Sequence, residues 1–187
     1  MKVGKAIFIQ RRWKIKTICR ITQNSSNLLR SILRIIIYLR DPVRAWKDKT
    51  PEDFKFSLKF PKVITHEKKL EDVVKPLSIL FYSLEPLIEK TLTLLIQLPP
   101  FLSEKKGFNP LQGMIRHLDK RFRYSLEVRH SSWFNDNLYE LLKENDISLV
   151  WSVRDKLQTH SIVTSDQVYI RFIGDRSISE KDFGKTV

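Results

Sequence analysis

Five polar residues close apolar runs in this chain, and their types suit the recognition of an anion. Lys59 ends the alternating run Phe54-Lys-Phe-Ser-Leu-Lys-Phe60, and Gln97 ends the run from Leu92. Glu127 and Arg129 follow Tyr124-Ser-Leu, and Arg171 lies near the end of Val168 to Ile173. Strand alternation sets Glu127 and Arg129 opposite Leu126 and Val128, and separates Arg171 from Ile170 and Phe172. If that polar face points inward, the charges converge. Guanidinium groups in excess of the carboxylate can then hold a carboxylate or phosphate. In this arrangement Glu127 is a candidate general acid or base, Lys59, Arg129 and Arg171 are anion clamps, and Gln97 and Trp133 form an orienting wall. A plainer reading stands beside it: a Glu127–Arg171 ion pair that only fixes strand register.

His130, next to Arg129 and followed by Trp133 and Phe134, serves equally as a base beside a ligand or as a cap on its own loop. His66, Glu127 and His130 offer imidazole and carboxylate donors, but no His-Glu-x-x-His spacing supports a metal. The arginines and lysine in the same place would repel a cation, so no metal is expected. Ser131 and Ser132 lack a Gly-x-Ser-x-Gly elbow. Neither Gly-x-Gly-x-x-Gly nor a P-loop occurs, so the dinucleotide and P-loop sites lose support and no cofactor is specified.

The elements that must position these residues alternate. Strands are expected at Phe54 to Phe60, Leu92 to Leu98, Tyr124 to Val128, Ile147 to Val153 and Val168 to Ile173. Between them, helical spacing marks Leu70 to Leu87, with Pro76 and Pro86 able to start, kink or break it. A further helix is opened by Asn109-Pro110, and another around Leu138, Leu141 and Leu142 is capped by Asn135. About five strands alternating with helices predict an α/β chain with parallel strands, either a doubly wound sheet or part of a TIM-type β/α barrel. A barrel carries its chemistry at the C-terminal ends of its strands, where the five polar residues fall.

With 187 residues the chain is one domain's length, and 42% hydrophobic residues are enough for a core. Its single cysteine, Cys19, excludes an intramolecular disulfide framework or a cysteine zinc site. The net charge of +13 is uneven: residues 1–40 hold ten Lys/Arg and no acid, leaving 24 basic against 21 acidic residues downstream. This N-terminal segment, residues 1–42, has four readings. It is a basic arm for nucleic acid through Lys2, Lys5, Arg11, Arg12, Lys14, Lys16 and Arg20, a solvated tail, an import peptide, or a stretch foreign to the domain at 43–187. A membrane span is disfavoured because Arg34 interrupts the short apolar run from Ile32 to Leu39. With no apolar region preceding a small-residue cleavage site, the cytoplasm is the default location.

Four blocks carry a family likeness: Phe56-Ser-Leu-Lys-Phe-Pro-Lys-Val-Ile-Thr-His66, Leu94-Leu-Ile-Gln-Leu-Pro-Pro100, Leu126-Glu-Val-Arg-His-Ser-Ser-Trp-Phe134 and Tyr169-Ile-Arg-Phe-Ile-Gly174. In this order they resemble the YecE-like family, domain of unknown function 72, over about residues 43–187. The resemblance implies a TIM-type barrel with no established reaction. It also implies that Lys59, Thr65, His66, Gln97, Pro99, Glu127, Arg129, His130, Trp133, Arg171 and Gly174 occupy the family's characteristic positions, which adds His66 to the ligand-binding candidates. The chain departs from the pattern in three places. No Gly-rich opening with Glu-Asn occurs in residues 1–42, Ile173 stands where the family commonly has histidine, and the chain ends at Val187 before the family's last helix and strand. The expectation is therefore an incomplete barrel, its start misread or out of frame and its end truncated. Two function classes follow. One is a barrel enzyme acting on a small anionic or polar ligand; the alternative is a nucleic-acid-associated protein using residues 1–40, or an inactive fragment.

Overall fold

A computed structural model describes residues 6–10, 40–153, 157 and 159–172. Its elements alternate as the sequence pattern requires: β1 (Ala6–Gln10), α1 (Arg40–Lys49), β2 (Phe56–Lys59), α2 (Val74–Leu84), β3 (Thr91–Gln97), α3 (Glu104–Ile115), β4 (Tyr124–Glu127), α4 (Asp136–Glu144), β5 (Ile147–Val153) and β6 (Val168–Phe172). The six strands pair in parallel in the order β1-β6-β5-β4-β3-β2. The five anticipated strands are present. β1 is an addition within the basic segment, its Ile7 and Ile9 in register with Tyr169 and Arg171.

The two faces of the sheet differ in chemistry. Leu94, Ile96, Leu126, Ile147 and Leu149 point outward into one apolar core with Leu77, Leu80 and Leu84 of α2, Leu111 and Met114 of α3, and Leu138 and Leu142 of α4. Burial of such side chains stabilises the fold by roughly 1.5–3 kcal/mol each. The opposite face turns in on itself. Ser57 on β2 lies 3.1 Å from the hydroxyl of Tyr169 on β6, although β3, β4 and β5 separate those strands in the sheet. Only a strongly curled sheet brings its second and sixth strands within hydrogen-bond reach, and that curl makes this part of a TIM-type barrel.

The inner face stacks in three levels. At the N-terminal end, Thr93 and Ser125 share a 2.8 Å hydrogen bond, and Ser148 donates to the Gln167 carbonyl at 2.7 Å. A small apolar cluster of Leu95, Val150 and Tyr169 follows. Lys59, Gln97, Glu127, Ser152 and Arg171 then occupy the C-terminal level on alternate positions of their strands.

Two boundaries differ from the sequence reading. The helix expected to open at Asn109-Pro110 begins a turn and a half earlier, at Glu104, and carries Pro110 inside it. Its buried positions are Gly107, Leu111, Met114 and Ile115. That is helical spacing, but its first member is a glycine and gives no apolar signal. Glycine is required there because a Cβ would lie 2.6 Å from Cζ2 of Trp133. The pattern from Leu70 to Leu87 resolves into α2 and a 3₁₀ turn, Glu85–Lys90, with Pro86 in its first turn. Lys90 ties this segment to the end of α1: its ammonium donates to the carbonyls of Lys47, Thr50 and Pro51 at 2.8–3.1 Å. The Lys47 carbonyl lies in the last turn of α1, at the negative end of its dipole, where a cation is favoured. Asn135 caps α4 as expected, its side chain accepting from the Leu138 N–H at 3.1 Å.

Candidate functional site

Glu127 is the hub of the C-terminal level. Its carboxylate is fully buried at the end of β4. Oε1 accepts from Arg129 Nε at 3.4 Å, and Oε2 accepts from Arg171 and, at 2.7 Å, from Gln97 Nε2. The Gln97 amide is thereby oriented, and its Oε1 accepts from Lys59 Nζ at 2.6 Å. A continuous relay runs from the β2 ammonium through the β3 amide to the β4 carboxylate and the β6 guanidinium. Register explains the convergence, since Gln97 pairs with Glu127 and Lys59 with Leu95 across parallel strands. Such charge-assisted bonds are about twice as strong as neutral ones.

Three cations thus gather around this carboxylate, and the charge they share acts on Lys59. Burial, then Arg129, Arg171 and Lys62, push its ammonium down to about 8. The backbone after β2 adds a histidine. Residues Val63–Glu67 form a π turn, a wide turn often found at functional sites. Within it Thr65 is buried, with its hydroxyl 2.8 Å from His66 Nδ1. His66 is held below its ordinary value by burial and by the charges of Lys59, Lys62 and Arg129, outweighing Glu67. It therefore faces the cluster as a neutral imidazole near pH 7.

Ser152, on β5 in register with Arg171, belongs to the same level. It is 2% exposed, and its Oγ finds no hydrogen-bond partner among the described residues. Sequence reasoning missed it. The signal was its alternation with Ser148 and Val150, but serine next to Trp151 carries no distinguishing chemistry on its own.

The structure separates two candidates from this group. Trp133, expected in an orienting wall, is fully buried against Gly107, and its indole N–H donates to the Leu102 carbonyl at 2.8 Å. His130 caps its own loop. Its Nδ1 accepts from the Ser132 N–H at 3.2 Å and lies 2.9 Å from the Ser132 hydroxyl, fixing the 3₁₀ turn Ser131–Trp133. Both oxygens of Glu127, the candidate general acid or base, receive donors. Lys2, Lys5, Arg11, Arg12, Lys14, Lys16, Arg20 and Gly174 lie outside the described residues. Among the described residues no group of three or more His, Cys, Asp or Glu could hold a metal ion, and no helix is long and apolar enough to cross a membrane.

A parallel α/β sheet curled into part of a barrel, with a charged cluster at the C-terminal ends of its strands, defines the class. A family model described as "Protein of unknown function DUF72" matches residues 37–186, and the chain belongs to that family. It is 24% identical to the UPF0759 protein YecE of Escherichia coli K12, the match covering 74% of this chain and 60% of that protein. The chain thus spans about 60% of the length of the curated relatives it matches. Among solved structures it is similar to a DUF72 family protein from Enterococcus faecalis, with a TM-score of 0.64, 24% identity, and coverage of 75% of this chain and 57% of that one. It is also similar to a DUF72 family protein from Thermotoga maritima, with a TM-score of 0.60, 28% identity, and coverage of 76% and 57%.

Proposed function

We propose that the C-terminal level of the curled sheet binds a small anionic ligand, a carboxylate or phosphate compound. Arg129 and Arg171 act as its clamps with Lys59 beside them, and Glu127 is the counter-charge that orients the guanidinium groups. The observation that carries this reading is one buried carboxylate bonded to two guanidinium groups, with a third cation, Lys59, one amide away. A register-fixing ion pair needs only one cation. The extra positive charge costs stability unless something offsets it, and Lys59, its ammonium pushed down first by burial and then by Arg129, Arg171 and Lys62, carries part of that cost. Ser152 supports the same reading, since a buried hydroxyl without a partner among the described residues calls for one.

Glu127 in this reading is a positioning residue. Its bonds to Gln97, Arg129 and Arg171 hold donors rigidly, which lowers the ordering cost of binding. Calorimetric titration with inorganic phosphate and with oxalate tests the proposal. Saturable binding is expected, weakened at least tenfold by Arg171→Gln and reduced by added salt. Equal heats for wild type and Arg171→Gln would overturn it.

A further inference from the structure

From the position of Lys59 we infer a second property of the same site: Lys59 is a nucleophilic amine that condenses with the carbonyl group of a small aldehyde or ketone bearing a carboxylate or phosphate. The inference rests on the anion-binding reading for its substrate class and on separate geometry for its chemistry.

Lys59 stands at the C-terminal end of β2, the end at which barrels of this type carry their chemistry. Its ammonium is aimed along the inner face by one strong bond, 2.6 Å to the Gln97 amide oxygen. Among the described residues no carboxylate forms a salt bridge with it. Glu127, the anion in the relay, lies one amide away from it and is bonded to the two arginines. This contrasts with Lys90, a buried lysine surrounded by carbonyl oxygens that stabilise its charged form. Lys59 instead has cationic neighbours, Arg129, Arg171 and Lys62, whose charges it feels, and its own charge in turn reaches His66. An ordinary lysine near pH 8 is less than about 1% unprotonated, whereas Lys59, pushed down to about 8, is about half so. A lysine made neutral by burial and cationic neighbours is activated as a nucleophile.

The bond changes balance without an added oxidant or reductant. The neutral amine adds its lone pair to the carbonyl carbon, forming a C–N bond. The carbonyl π pair moves to oxygen, which takes up a proton, and the nitrogen loses one. The resulting hydroxyl leaves with a further proton as water, and the product is a protonated imine. Overall, amine, carbonyl compound and one proton give iminium and water. Neutral His66 is suited to accept the proton released from nitrogen and return it to the departing hydroxyl. Arg129 and Arg171 engage the anionic group and so align the carbonyl carbon with the amine.

The test is imine trapping on the whole chain. Wild-type protein near pH 8 is treated with sodium cyanoborohydride and one of three probes: glyoxylate, glycolaldehyde phosphate, or neutral glycolaldehyde. Adducts are then located by peptide mass mapping. The expected result is modification of Lys59 at least tenfold above any other lysine with one or both anionic probes, less with the neutral one, and suppressed by inorganic phosphate. The carboxylate and phosphate arms separate the two ligand sources. Lysine modification spread evenly over the chain, with Lys59 unfavoured, overturns the inference even if phosphate binds. Preferential modification of Lys59 by all three probes alike, unaffected by phosphate, upholds the amine and overturns the anion site. Because the wild-type chain is used, no variant has to fold for the result to be read.

Discussion

The two ends of the curled sheet's inner face share strands, register and burial, yet they solve the problem of buried polarity differently. At the N-terminal end Thr93, Ser125, Ser148 and Gln167 are neutral, and their hydrogen bonds close among themselves and the backbone. At the C-terminal end Lys59, Glu127, Arg129 and Arg171 bring unequal charge together around one amide relay. A self-contained neutral network is enough to satisfy an inner face. The charged level carries more positive charge than such a network needs, and the anion-binding proposal rests on that difference between the ends.

Breaking that contrast at its hub should have the largest effect. Glu127→Ala leaves two guanidinium groups without the carboxylate they share, and removing one partner of a buried pair costs about 3–5 kcal/mol. Chemical denaturation should show this as a lower midpoint with unchanged slope. At the opposite end Thr93→Val removes a hydroxyl that bonds Ser125 and Gln167. It should cost about 1–2 kcal/mol and leave phosphate titration unaltered, whereas a loss of binding there would erase the distinction between the ends.

Lys59 sharpens the comparison through pH. Its folded value near 8 lies below the ordinary 10.5, so the unfolded chain binds more protons between these limits and stability rises with pH across that window. Lys59→Met removes the burden. The variant should be more stable than wild type at pH 7 by less than about 1 kcal/mol, with the gap closing as pH rises towards 10.5, read from thermal melts at each pH. His66 gives the smallest expected effect. Its value is held below 6.5 in the fold, so wild type loses stability as pH falls below 6.5, and His66→Gln should flatten that acid limb by a few tenths of a kcal/mol.

The sequence made the strands legible because the inner and outer faces alternate cleanly: Leu126 and Val128 against Glu127, Ile170 and Phe172 against Arg171. Parallel alternation with helices then placed the charges at one end, and the Lys59–Gln97–Glu127–Arg171 grouping followed from pleat geometry alone. What escaped was tertiary. Gly107 hid the start of α3 because its value lies in having no side chain against Trp133. Trp133 read as a ligand wall because adjacency to His130 says nothing of depth. The capping role of His130 depends on a local backbone turn that competes with any catalytic reading. Ser152 carries meaning only through its level in the curl, and β1 lies in a segment whose charge dominates its composition.

The central claim, that the charged level is an anion site, is tested most directly by recording the arginine Nε–Hε resonances of the protein during titration with phosphate. The account predicts that the signals of Arg129 and Arg171, assigned by single Arg→Lys replacements, shift together and saturate at one concentration while that of Arg123 at the opposite end stays fixed. Uniform, unsaturable movement of all three would contradict it.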